Sequence, residues 1–256
     1  MASNTNKSLK NKVIYSVYVR NHSESGDFKG VMKDLDRIKL LGVDYIWFMP
    51  IHPIGEVNKK GELGCPYSIS DYRAVNPEYG TMEDFKELVS AIHEKGMKCM
   101  IDVVYNHTSH ESVLSKEHPE FFYKKPDGRF GNKVGDWTDV IDLDYTNKDL
   151  WDYQLETLKM WAKIVDGFRC DVASLVPIEF WNRARKEVAE VNPDCLWLAE
   201  SVEYGLIKYA RDTGFNCLSD SELYQAFDIL YDYDVYPKYL AYVDGEIPLS
   251  KYINAL

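Results

Sequence analysis

The chain is 256 residues long, 45% hydrophobic, with a formal net charge of −11. That length is enough for one large buried core, and the balance of apolar and charged residues excludes a disordered or fibrous chain. The acidic balance excludes nucleic acid and anionic membranes as partners. The longest largely apolar stretches, such as Val43 to Ile54 with Asp44 and His52 inside it, fall short of the roughly 18 residues that cross a bilayer.

Met1 to Lys12 is rich in Ser, Asn and Lys and reads as a polar tail without the apolar run of a secretory signal. The five cysteines (65, 99, 170, 195 and 217) are odd in number and lack CxxC spacing. Three of them fall in or beside strand-like apolar runs, where a thiol behaves as a small hydrophobe. A reduced, cytoplasmic setting is therefore expected.

From Val13 onward, short runs rich in β-branched and aromatic residues alternate with helical patterns, the signature of βα units around a parallel sheet. The first strand is Val13 to Val19. Val31, Leu35, Ile38 and Leu41 predict a helix stopped by Gly42. The strand Val43 to Met49 ends at Pro50, and a glycine-containing loop leads to Tyr67–Tyr79. Thr81 with Asp84 predicts a capped helix from Met82 to Lys95, followed by the strand Lys98 to Tyr105.

Residues 107–146 are polar, hold Pro119 and Pro126, and show no sustained period. They are too long for an ordinary βα loop and read as an excursion or small subdomain inserted between barrel segments 13–106 and 147–256. Helical spacing returns at Trp151, Leu155, Leu158 and Ala162. The strand Val165 to Cys170, a helix from Pro177 to about Glu190 and the strand Leu196 to Ala199 follow. Cys217 to Ser219 is the candidate sixth strand, and Leu223 to about Tyr236 reads as a helix closed by Pro237. About six βα units result, short of the eight that close a TIM-type (β/α)8 barrel, so an incomplete barrel is expected.

Catalytic groups of parallel barrels stand at the C-terminal ends of strands. Arg169 and Asp171, two apart on one strand, share a face, so the guanidinium is expected to hold that carboxylate ionised and oriented. Glu200 closes the next strand. Its carboxyl is expected beside Asp171, at a separation compatible with the roughly 5 to 5.5 Å of retaining glycosidases, and its apolar neighbours favour a raised pKa. The 19 tyrosines and 6 tryptophans suit stacking on sugar rings and equally suit a large core; the run from Tyr224 to Tyr242 decides nothing by its clustering.

The segments DVVYNH (102–107), GFRCD (167–171) and LAES (198–201), in this order on the third, fourth and fifth barrel strands, resemble the signatures of the alpha-amylase family of retaining α-glucoside hydrolases and transglycosylases. YIWFMPIHPI (45–54), YSISDYRAVNPEYGT (67–81) and VIDLDYTN (140–147) extend the likeness over nearly the whole chain. The resemblance implies cleavage of α-1,4-type bonds in an α-glucan or maltooligosaccharide, with Asp171 as nucleophile and Glu200 as general acid/base. It implies that Arg169 orients Asp171, that His107 hydrogen-bonds the sugar and that Tyr67 stacks beneath it. Asp102 reads as structural, holding the loop that bears Asn106 and His107.

The chemistry itself implies no cofactor. In many relatives Asn106 and Asp142 correspond to calcium ligands tying the excursion to the barrel, and oxygen ligands of this kind suit calcium. The lysine–histidine pair that often follows the nucleophile is replaced by Ser174–Leu175. The family's third carboxylate, an aspartate after a histidine on the seventh strand, has no counterpart, since no histidine follows Glu200. The alternative reading is accordingly a truncated barrel without activity that binds sugar or associates with another chain through open strand edges.

Overall fold

The computed structural model describes residues 2, 5, 7–135 and 137–256. Of the polar tail read over 1–12, residues 1, 3, 4 and 6 lie outside the described residues, while Lys7–Asn11 forms a 3-10 turn.

Six parallel strands form a curled, incomplete barrel wall: β1 (Ile14–Val17), β2 (Tyr45–Phe48), β3 (Lys98–Val103), β6 (Gly167–Cys170), β7 (Leu196–Ala199) and β8 (Ile229–Leu230), hydrogen-bonded in that order. The remaining two strands, β4 (His107–Ser109) and β5 (Val140–Asp142), pair antiparallel inside the excursion. The barrel strands carry near-continuous apolar runs because helices cover their outer face. All four residues of β6 and of β7 are buried.

The connecting helices follow the sequence pattern where caps and periodicity agree. Helix Met82–Glu94 opens on the reciprocal Thr81–Asp84 capping box, buries Phe85, Leu88, Val89 and Ile92, and stops before Gly96, whose φ of +67° closes it. Helices Lys148–Ala162 and Ile178–Val188 pack on the sheet's outer face through Leu155, Leu158, Trp161 and Phe180, Trp181, Ala184. Trp161, Trp181 and Trp197 are fully buried. At 150–250 Å² each they contribute on the order of 4–6 kcal/mol apiece of apolar burial, an upper bound against an extended chain. Two of the buried indole N–H groups are paired, Trp161 with the Tyr72 carbonyl (2.8 Å) and Trp181 with that of Ala173 (3.0 Å).

Four local expectations are corrected. The first helix divides into Phe28–Lys33 and Leu35–Leu40 at Asp34, and Leu41 is 57% exposed because the apolar stripe ends at Ile38. Val19 opens the short helix Val19–His22 rather than closing a strand. The sixth strand is β8, not Cys217–Ser219: Cys217 packs with Val134, Leu175, Val202 and Ala210 in a side cluster, and Leu218 N–H donates to the Ser174 carbonyl at 2.7 Å, so neither joins the ladder. The helix read over Leu223–Tyr236 is absent. Pro237 instead sits in the first turn of helix Tyr236–Val243, a position where its missing N–H costs nothing.

Candidate active site

The register of the parallel sheet builds the site. Cys170 is paired with Ala199, so the next residues, Asp171 and Glu200, leave neighbouring strands side by side at their C-terminal ends, strands being about 4.8 Å apart. Asp102 and Arg169 are themselves register partners across β3 and β6.

Arg169 is the hub. Its Nη1 donates to Asp102 Oδ1 (2.9 Å) and Oδ2 (3.2 Å) and to Asp171 Oδ1 (2.8 Å), Nη2 pairs with Glu200 Oε1 (2.8 Å), and Nε donates to the Tyr231 hydroxyl (3.3 Å). The guanidinium carbon lies 5.0, 5.3 and 5.8 Å from the ring centroids of Trp47, Tyr231 and Tyr67. Burial works against the guanidinium's charge, and the three carboxylates more than compensate, raising its pKa. One planar fork thus fixes both candidate catalytic carboxylates.

Burial dominates the acids themselves. It raises Glu200, with Arg169 pulling back and the Asp171 charge pushing further up. It also raises Asp171, against the pull of Arg169, which holds the carboxylate through the 2.8 Å bond. Asp102, fully enclosed, is pushed up to about 7 by the same cause. The partners of Asp102 are Arg169, Trp47 Nε1 (3.2 Å) and the Tyr67 hydroxyl (3.3 Å), none in the loop bearing Asn106 and His107. It is the floor of the carboxylate cluster rather than a loop anchor.

Arg169, Asp171 and Glu200 line a cleft of about 360 Å³ together with Tyr67, His107, Trp137, Lys60, Cys65 and Asp139. His107 Nδ1 accepts from Asn106 Nδ2 at 3.2 Å, which leaves the proton of the neutral ring on Nε2. Burial lowers its pKa, outweighing the Asp142 and Asp139 charges. The ring lies 5.6 Å from that of Trp137.

Two tyrosines that the sequence left undecided reach the site. Tyr231 follows β8 and meets Arg169, and Tyr233 donates from its hydroxyl to Glu200 Oε1 at 3.0 Å. Their signal was position, directly after the sixth strand, and misplacing that strand concealed it.

Asn106 and Asp142 come together in a different place, a cavity of about 540 Å³ between the excursion and the loops after β6 and helix Tyr204–Asp212. Asn106 Oδ1 is buried without a hydrogen-bond partner among the described residues, as a cation ligand would be. The rest of the donor set does not fit calcium. Asp142 Oδ1 already accepts from Asn106 and Asn132 Nδ2 (3.3 and 3.2 Å), its Oδ2 accepts from the Lys133 backbone N–H (2.7 Å), and the Lys133 side chain lines the same cavity. Calcium needs six to eight oxygens.

The family model described as alpha amylase, catalytic domain, matches residues 13–139. The chain belongs to the alpha-amylase family. It is 31% identical over 79% of its length to alpha-amylase 3 of Dictyoglomus thermophilum, covering 46% of that protein. It superposes on the crystal structure of an alpha-amylase from Lactobacillus plantarum with a TM-score of 0.93 and 58% identity, over 96% of this chain and 58% of that one. A noncanonic maltogenic alpha-amylase from Thermotoga neapolitana matches at a TM-score of 0.83 and 39% identity, over 96% and 55%. The chain spans about half the length of the relatives it matches. Among the described residues, no helix of this alpha-amylase family chain is long and apolar enough to cross a membrane.

Proposed function

We propose that this chain carries the nucleophile and the acid/base of a retaining glycosidase acting on α-1,4-type bonds of an α-glucan or maltooligosaccharide. The observation that carries the reading is the pair of carboxylates at the ends of β6 and β7 gripped by one guanidinium. In the first step an Asp171 oxygen bonds to the anomeric carbon as the bond to the leaving oxygen breaks, and the Glu200 proton goes to that oxygen. In the second, Glu200 takes a proton from water, the water oxygen bonds to the anomeric carbon, and the Asp171 ester breaks with the original configuration restored. The raised pKa of Glu200 supports its role as proton donor, and Arg169 orients Asp171 for attack. His107 and Tyr67, both on the cleft wall, are the proposed sugar contacts. Incubation with a fluorinated α-glucosyl fluoride followed by peptide mass spectrometry tests the reading: a glucosyl adduct is expected on Asp171, and a folded sample labelled elsewhere or not at all overturns it.

A second reading is favoured by the sheet itself. β1 and β8 each pair on one side only among the described residues, and such edges recruit further strands. On this reading the chain binds sugar or self-associates without turnover. A monodisperse monomer by light scattering that cleaves maltooligosaccharides excludes it.

A further inference from the structure

The junction between excursion and barrel is a place where a cation is called for. Asp142 is 1% exposed at the end of β5, opposite His107 in the β4–β5 ladder, and Asn106 Oδ1 beside it lacks a partner. A buried carboxylate without a nearby positive charge is costly.

Lys133 supplies one from within the chain. Its backbone N–H donates to Asp142 Oδ2 at 2.7 Å, its Nζ donates to the Leu143 carbonyl at 2.9 Å, and the neighbouring Asn132 Nδ2 bonds both the Val140 carbonyl (3.1 Å) and Asp142 Oδ1 (3.2 Å). The Leu143 N–H in turn donates to the Asn106 carbonyl at 2.9 Å, so one lysine clamps the end of β5 just where it meets the turn after β3. The ammonium stem runs along the wall of the cavity shared by Asn106, Asp142 and Asp144. A divalent ion placed there would have to displace three N–H donors from Asp142, and Lys133 lines the same cavity.

We propose that the Lys133 ammonium, not a divalent metal ion, is the cation that ties the excursion to the barrel in this protein. The Nζ bond to the Leu143 carbonyl and the backbone bond to Asp142 fix this side chain at the end of β5.

The test uses the 256-residue protein and reads stability and local protection, not activity. Isothermal titration with calcium chloride is expected to show no binding below about 1 mM, and melting in EDTA and in calcium should agree within about 2 °C. A single-site calcium isotherm in the micromolar range, or a calcium-dependent rise in Tm of several degrees, overturns the proposal without need of any variant. Lys133→Met keeps the stem and removes the charge. It is expected to lower Tm by about 3 °C or more and to speed hydrogen exchange at 140–143 and 106–109 at least tenfold relative to β6 and β7. Unchanged melting and exchange in Lys133→Met overturns it as well.

Discussion

The backbone N–H of Val172 donates to Glu200 Oε2 at 2.9 Å, and it does so from a left-handed conformation, φ +36° and ψ +46°, that a β-branched residue rarely adopts. The turn after Asp171 stores strain in order to aim a donor at the neighbouring carboxylate. Val172→Gly is expected to relieve that strain and leave stability unchanged or higher by up to about 1 kcal/mol, as thermal melting reports. The same variant keeps the N–H, so the Glu200 carboxyl signal in a 13C NMR titration should move little. A large destabilisation would show that the valine side chain, not the backbone, is what matters there.

Tyr233 is the other donor that the loop after β8 brings to Glu200, and it acts on Oε1 beside Arg169. Because a hydrogen bond to the charged form favours that form, Tyr233→Phe should raise the Glu200 pKa further. The fold should barely notice, with a loss below about 1 kcal/mol, since Tyr233 is 40% exposed. Titrating the Glu200 carboxyl by NMR in both proteins checks the direction; a downward or absent shift would remove Tyr233 from the site.

Asp102 makes stability depend on pH in an unusual sense. Burial places its folded pKa at about 7, above the ordinary carboxylate value, so between about pH 4 and pH 7 the folded state holds a proton the unfolded chain has released. This contribution is full below pH 4 and is lost as pH rises through 7, with a slope of at most about 1.4 kcal/mol per pH unit for one proton. Hydrogen-bonded carboxylates nearer the surface such as Asp84, held at about 2 by the Thr81 backbone and side chain, run the other way. The measurement is therefore a difference: denaturant unfolding from pH 4 to 8 should show wild-type protein losing stability relative to Asp102→Asn. Parallel curves would contradict it.

Two glycines separate steric need from chance. A Cβ at Gly167 on β6 would meet the Leu196 carbonyl oxygen at 2.8 Å and Met100 Cγ at 3.0 Å, whereas one at Gly205 in helix Tyr204–Asp212 meets nothing within 4 Å. Gly167→Ala should cost about 1–3 kcal/mol by pushing β7, and Glu200 with it, away from β6. Gly205→Ala should be neutral or gain up to about 1 kcal/mol from helix propensity. Equal Tm values for the two variants would refute this packing argument.

The sequence by itself determined the order of the first five βα units, the ends of β6 and β7 and the placing of Arg169, Asp171 and Glu200 at those ends, because strand period, capping boxes and glycine stops are local properties of the chain. Thr81 with Asp84 marked a helix start that the structure reproduces, and Gly96 marked its end. Local signals failed where propensity was weak: β8 is two residues long, and of the stretch Cys217–Ser219 read as the sixth strand, Cys217 packs in a side cluster and Leu218 in the main core.

Only the tertiary structure decided which residues meet. Asp102 faces Arg169 across 67 positions through the β3–β6 register, Tyr233 reaches Glu200 across 33, and Lys133 finds the β5 end through the folding of the excursion. Periodicity reports which face of an element a side chain occupies. It does not report the register between elements or the depth of burial, and in this protein those two quantities set both the contacts of the carboxylates and the direction in which their pKa values move.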